Sequence, residues 1–115
     1  MSKESTYQSG LRKQILARFP GSVVLKNDAN DIQGFPDLTI LFPNGKWAVL
    51  ECKRSKKEER TPRPNQEYYI KELNARGYAS FVFPENETLV MKSLKGVAKW
   101  YLINQRSIEV VLFVV

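Results

Sequence analysis

Residues 36–53 read PDLTILFPNGKWAVLECK, and the fold is decided there. Two runs rich in strand-favouring residues, Asp37 to Phe42 and Lys46 to Lys53, flank the turn formers Pro43-Asn44-Gly45, so the stretch is expected to be a β-hairpin. Side chains alternate along a strand, which places Glu51 and Lys53 on one face and Cys52 on the other. The turn decides which of them Asp37 joins. A two-residue Asn44-Gly45 loop pairs Pro43 with Lys46 and sets Asp37 opposite Cys52. A three-residue loop, with proline first and glycine in the left-handed position, pairs Phe42 with Lys46 and sets Asp37 opposite Glu51. The placement of the proline and the glycine selects the second register, in which the two carboxylates are direct cross-strand neighbours.

Two adjacent carboxylates repel each other, so one pKa is expected to rise unless a cation is shared between them. The chain has no histidine and a single cysteine. That excludes His-based catalysis, a His or Cys zinc site and an intrachain disulfide, and leaves oxygen as the metal ligand. Mg²⁺ or Mn²⁺ suits Asp37 and Glu51 together with the backbone carbonyl of Cys52. Lys53 would then stand beside the ion, where an ammonium can orient or help deprotonate water and offset charge building on a phosphate. The plainer alternative is a cross-strand ion pair of Asp37 with Lys53, with Glu51 at an edge. Cys52, with no base near it in sequence, is read as a packing residue.

Outward from the hairpin, Leu11, Ile15, Leu16 and Phe19 recur at helical spacing over Tyr7 to Phe19, and Pro20-Gly21 ends the pattern. Ser22 to Lys26 is a β-branched strand and Asn27 to Asp31 a turn, although its acids also permit a second acidic site. Arg54 to Arg63 reads as a charged loop. Pro64 to Arg76 reads as a helix with Tyr68, Tyr69 and Leu73 inside, stopped by Gly77 before a strand over Tyr78 to Phe83. Asn86 can cap a last helix reaching about Asn104, with Leu89, Val90, Leu94, Val97, Trp100 and Tyr101 on its apolar face. The aromatic residues Trp47, Tyr68, Tyr69 and Trp100 are taken as core rather than as base-stacking platforms. The apolar end, Ile108 to Val115, is expected to be a buried strand or a two-fold interface in a homodimer.

The order α-β-β-β-α-β-α-(β) predicts a mixed α/β (α+β) fold in one domain over residues 1–115, a central mixed sheet flanked by helices. The first three strands pair antiparallel, and a βαβ crossover follows. Net charge is +6, and residues 53–63 carry six cationic against two acidic side chains, supplying +4 of it. Such a local excess suits a polyanion, and without an amphipathic membrane helix the partner is expected to be nucleic acid rather than a membrane. Arg12, Lys13, Arg18, Arg54, Lys56, Lys57, Arg60 and Arg63 are the candidate contacts to its backbone. Residues 1–10 are polar, so no signal peptide is expected and the location is expected to be cytoplasmic.

Pro36-Asp37 followed by Glu51-Cys52-Lys53 resembles the PD-(D/E)xK nuclease superfamily. Gly34-Phe35-Pro36-Asp37-Leu38, then Arg63-Pro64-Asn65-Gln66 at a helix start and Gly77 before a strand, look like its virus-type replication-repair nuclease (VRR-NUC) branch, which includes standalone phage proteins. The resemblance spans about residues 8–100. It implies a restriction-endonuclease-like core, metal ligation by Asp37 and Glu51, water activation by Lys53 and a supporting polar role for Gln66 in the active site. It also implies a place in DNA repair or recombination. Members often carry a further glutamate on the first helix. Here Gln8 and Ser9 stand near that place with Glu4 a turn earlier, so either Glu4 reaches the site or Gln8 replaces the carboxylate. The expected activity is Mg²⁺- or Mn²⁺-dependent endonucleolytic hydrolysis of DNA, selective for branched, flapped or junction structures because so short a chain leaves little for base readout. The alternative is a non-catalytic nucleic-acid-binding protein that keeps the fold.

Overall fold

The computed structural model describes residues 3–28, 30–59 and 63–99. In chain order these form α1 (Lys3–Arg18), β1 (Val23–Lys26), β2 (Leu38–Leu41), β3 (Trp47–Cys52), a one-turn α2 (Lys56–Glu59), α3 (Gln66–Asn74) and β4 (Tyr78–Val82). A further helix, α4, runs over 87–99. The sheet order is β1-β2-β3-β4, with the first two pairings antiparallel and β3–β4 parallel through the α3 crossover. The fold is therefore the expected mixed sheet with helices on both faces. Ile108 to Val115, Trp100 and Tyr101 lie outside the described residues.

The hairpin has the register that its turn chemistry selects. Leu38 faces Leu50 and Leu41 faces Trp47. Beyond the ladder, Phe42 N–H donates to Lys46 O at 2.9 Å and Gly45 N–H to Phe42 O at 3.0 Å. Gly45 has φ +84, the left-handed position that closes a three-residue loop. Continuing the same pairing sets Asp37 opposite Glu51.

Alternation then sorts the two faces. Leu38, Ile40, Ala48, Leu50 and Cys52 join Leu11, Ile15, Phe19, Val90, Met91, Leu94 and Ala98 in one buried cluster between the sheet, α1 and α4. Thr39, Val49, Glu51 and Lys53 fall on the opposite face, where α3 packs. Phe19 of α1 meets Phe42 beside the turn, ring centroids 5.5 Å apart. Sixteen helical residues at about 1.5 Å each bring the start of α1 back to the Cys52 end. There the Tyr7 hydroxyl donates to Glu87 Oε2 at 2.8 Å and ties α1 to α4.

Three apolar expectations are corrected by helical phase. Leu16 and Leu89 are exposed, because Leu11-Ile15-Phe19 and Val90-Met91-Leu94-Ala98 define the inward stripes and a residue adjacent to a stripe is rotated by about 100°. Tyr68 is 58% exposed. The helix begins at Gln66, which points inward, so the inward positions are three, four and seven residues on, at Tyr69, Ile70 and Leu73. The charged stretch 54–63 also contains the turn α2, held at its start by Lys56 N–H donating to Glu85 Oε2 at 2.9 Å.

A second close approach fixes the loop before Asp37. Gly34, at φ +86, lies so near the start of α3 that an added Cβ would sit 2.7 Å from both Pro64 O and Asn65 Cβ. Asn65 itself takes φ 70, which asparagine tolerates better than other side chains. The Phe35 and Tyr69 rings meet edge to face at 5.5 Å just beyond it.

Gly45→Val is expected to destabilise the protein by about 1–3 kcal/mol through left-handed strain alone, since the space around Gly45 is open. Thermal melts would show this, and cleavage should fall with stability as the hairpin register loosens. Gly34→Ala should have a similar effect by collision with the backbone, again read by melting temperature; a variant as stable as the parent would mean that loop and helix part without cost.

Candidate active site

Asp37 and Glu51 brace each other across the hairpin. Asp37 N–H donates to Glu51 Oε2 at 3.2 Å, while Cys52 N–H donates to Asp37 Oδ2 at 2.8 Å. Each carboxylate is thus held by the backbone of the strand that carries the other. Glu51 is 3% and Lys53 6% exposed, values that charged residues reach only with partners.

Gln66 supplies partners to both. Its Oε1 accepts from Lys53 Nζ at 2.7 Å and from Arg63 N–H at 2.9 Å, and its Nε2 donates to Glu51 Oε1 at 2.7 Å. Two donors on one side and an acceptor on the other fix the amide orientation. The structure therefore brings Asp37, Glu51, Lys53 and Gln66 together where β2 begins, β3 ends and α3 starts. Lys53 Nζ also lies 5.9 Å from the Phe81 ring centroid.

Burial raises the Asp37 pKa above its ordinary value, while the Cys52 N–H, a hydrogen bond with Glu51 and the positive charge of Lys53 pull it down less strongly. A cation would relieve that tension. The donor set suits a hard divalent ion: two carboxylates on adjacent strands, with the backbone carbonyl of Cys52 as the candidate third oxygen. The Cys52 thiol is fully buried in the core and cannot ligate from this side. Among the described residues no group of three or more His, Cys, Asp or Glu is placed to hold a metal.

The helix position of the expected extra glutamate holds Gln8, 9% exposed, whose Oε1 is buried without a hydrogen-bond partner. Asn27 was not anticipated as part of the site. Its Nδ2 donates to Pro36 O at 2.8 Å and to Thr39 Oγ1 at 2.9 Å, and its N–H donates to Asp37 O at 2.8 Å. It holds the peptide that carries Asp37. An asparagine that leaves a strand into a long polar loop is a weak signal, and its partners lie nine to twelve residues away. Asp28 forms a local turn through Asn30 N–H at 2.9 Å, in keeping with the turn reading of that segment.

The candidate phosphate contacts divide. Arg54, Lys56, Lys57 and Arg63 are exposed around the end of β3 and the start of α3, beside the carboxylates. Arg12 and Lys13 are exposed on α1, across the sheet from Glu51 and Lys53, and Arg18 lies near the hairpin turn at the other end. The site does not gather these three. Arg60 is outside the described residues.

No family model matches the chain, and no curated protein matches it. A solved structure described as a VRR_NUC domain is similar, with a TM-score of 0.58 and 26% identity over 72% of this chain and 85% of that chain. This is the branch that Gly34 to Leu38, Glu51-Cys52-Lys53, Arg63 to Gln66 and Gly77 together resemble, and the likeness, with a four-stranded mixed sheet flanked by helices, points to a nuclease family.

Proposed function

We propose that this protein is a metal-dependent endonuclease that hydrolyses DNA phosphodiester bonds. The observation that carries the reading is the cross-braced pair Asp37 and Glu51, with Lys53 on the same face and Gln66 bridging Glu51 to Lys53. Mg²⁺ or Mn²⁺ would be held by Asp37, Glu51 and the Cys52 carbonyl. When bound, such an ion supplies Lewis-acid stabilisation of phosphate charge and a more acidic water.

The residues of the chain do the positioning. Gln66 holds the Lys53 ammonium in place, and from there Lys53 can orient the attacking water and counter charge on the phosphate. Arg54, Lys56, Lys57 and Arg63 surround this end of the sheet and would grip the backbone without reading sequence. Selectivity for branched, flapped or junction DNA is the accompanying proposal, since contacts to the phosphate backbone follow the shape of DNA and not its sequence. A homodimer would supply two such sites for paired incisions.

The test is a gel of branched, flapped, single-stranded and linear duplex DNA with Mg²⁺, Mn²⁺ or EDTA. Asp37→Asn, Glu51→Gln and Lys53→Met are each expected to slow cleavage by on the order of 100-fold or more while still unfolding cooperatively. Binding without any metal-dependent product in the parent chain would overturn the reading in favour of a non-catalytic binder.

Stability should report the same site without cleavage. Burial lifts the folded pKa of Asp37 above its unfolded value near 3.8. Its favourable contribution is therefore complete below the unfolded value and is lost as pH rises through the folded one. In EDTA, Asp37→Asn is expected to melt higher than the parent at neutral pH, with the gain shrinking on acidification. Mn²⁺ should reverse the neutral-pH order by stabilising the parent, by about 2.7 kcal/mol at a hundredfold excess over Kd, and not the variant.

A further inference from the structure

At the opposite end of β3 and β4 lies a groove of about 720 Å³, a size that accepts a nucleotide-sized ligand. Its walls are the hairpin turn, the start of β3 and β4, and the outer half of α4. Trp47 and Tyr78, both half-buried, line it, the Tyr78 side chain packing against the core cluster, and Lys46 and Arg76 flank them. The indole rests against Gly77, where an added Cβ would come within 2.8 Å of it. On the other wall Gly96 has nothing within 4 Å of its Cβ position.

The surroundings are basic. Helix α4 exposes Lys92, Lys95 and Lys99, and no acidic residue occurs between 88 and 99. Near the groove Glu72 offsets only Arg76, with which it pairs at 2.9 Å. None of these cations belongs to the charged stretch beside the carboxylates. A polyanion therefore meets two separate positive regions, one at each end of β3, and the second has the Trp47 ring beside it.

From Trp47 to Lys53 is about 20 Å at roughly 3.3 Å per residue. At the duplex rise of about 3.4 Å per nucleotide that is the span of about six stacked nucleotides, and of fewer in an extended single strand. We propose that this groove is a second nucleic-acid site, in which an unpaired base of single-stranded DNA stacks on Trp47 while Lys46 and the α4 lysines hold its phosphates. The site specifies the substrate class of the proposed nuclease: DNA with a single-stranded arm long enough to reach from the groove to the carboxylates. It rests on that reading only for the link to cleavage. Aromatic rings beside cations suit bases of any sequence, since each offers a π-face and a phosphate.

The experiment is fluorescence anisotropy of a labelled twelve-nucleotide dT strand with the full chain in EDTA. Gly96→Glu sets a carboxylate in the groove where space is open, and Lys46→Glu does so from a residue outside any helix. Each is expected to weaken binding at least tenfold. Gln14→Glu, the same or a smaller charge change on the exposed face of α1, should leave it within twofold. An abasic strand of equal charge should bind the parent at least fivefold more weakly than dT. Parent-like binding by both groove variants, equal binding of the abasic strand, or a change of mass in light scattering that accounts for the loss would overturn the proposal, the last by making the groove an interface between copies. Because metal is absent, these results are independent of cleavage. A chain that binds in this way but never cuts overturns the nuclease reading alone.

Discussion

The site depends on one constraint: two carboxylates on facing strands of a hairpin, each hydrogen-bonded to a backbone N–H of the other's strand. That geometry requires the register to be right to the residue. A slip of one position would turn Asp37 toward the core and leave Cys52 N–H and Glu51 without these partners. Gly45 guards the register from one end and the Gly34–Asn65 contact from the other, with Asn27 holding the intervening peptide. The apolar face of the same strands is packed between α1 and α4, so the polar face is supported by a core that cannot shift without disturbing it.

Gln66 makes the arrangement chemically coherent. A buried ammonium and a buried carboxylate beside a second carboxylate would be costly if any donor or acceptor were left over. The amide lies between Lys53 and Glu51 and turns its acceptor to one and its donor to the other. Asp37 remains the group whose ionisation burial opposes. Strain of this kind, carried by a folded chain at one site, is expected where a ligand is to resolve it.

Local chemistry was legible in the sequence. The Pro43-Asn44-Gly45 loop, the alternation of Glu51, Cys52 and Lys53, and the βαβ step to Tyr78 follow from turn residues and period-two patterning, which act over a few residues. Less legible were features set by distant partners. The role of Asn27 depends on Pro36 and Thr39, and the need for glycine at position 34 depends on Pro64 and Asn65. Tyr68 turned outward because a glutamine took the inward phase of α3, against the polarity rule by which apolar faces are found. Arg12, Lys13 and Arg18 were grouped with the other cations by charge, and only the fold separates α1 from the carboxylates.

The central claim is that Asp37 and Glu51 together hold a divalent ion. The most direct measurement is anomalous diffraction from crystals grown with Mn²⁺. The account predicts a peak between the two side chains, about 2.1 Å from a carboxylate oxygen of each. A map with no peak there, and with Lys53 instead bridging both carboxylates as a structural ion pair, would contradict it.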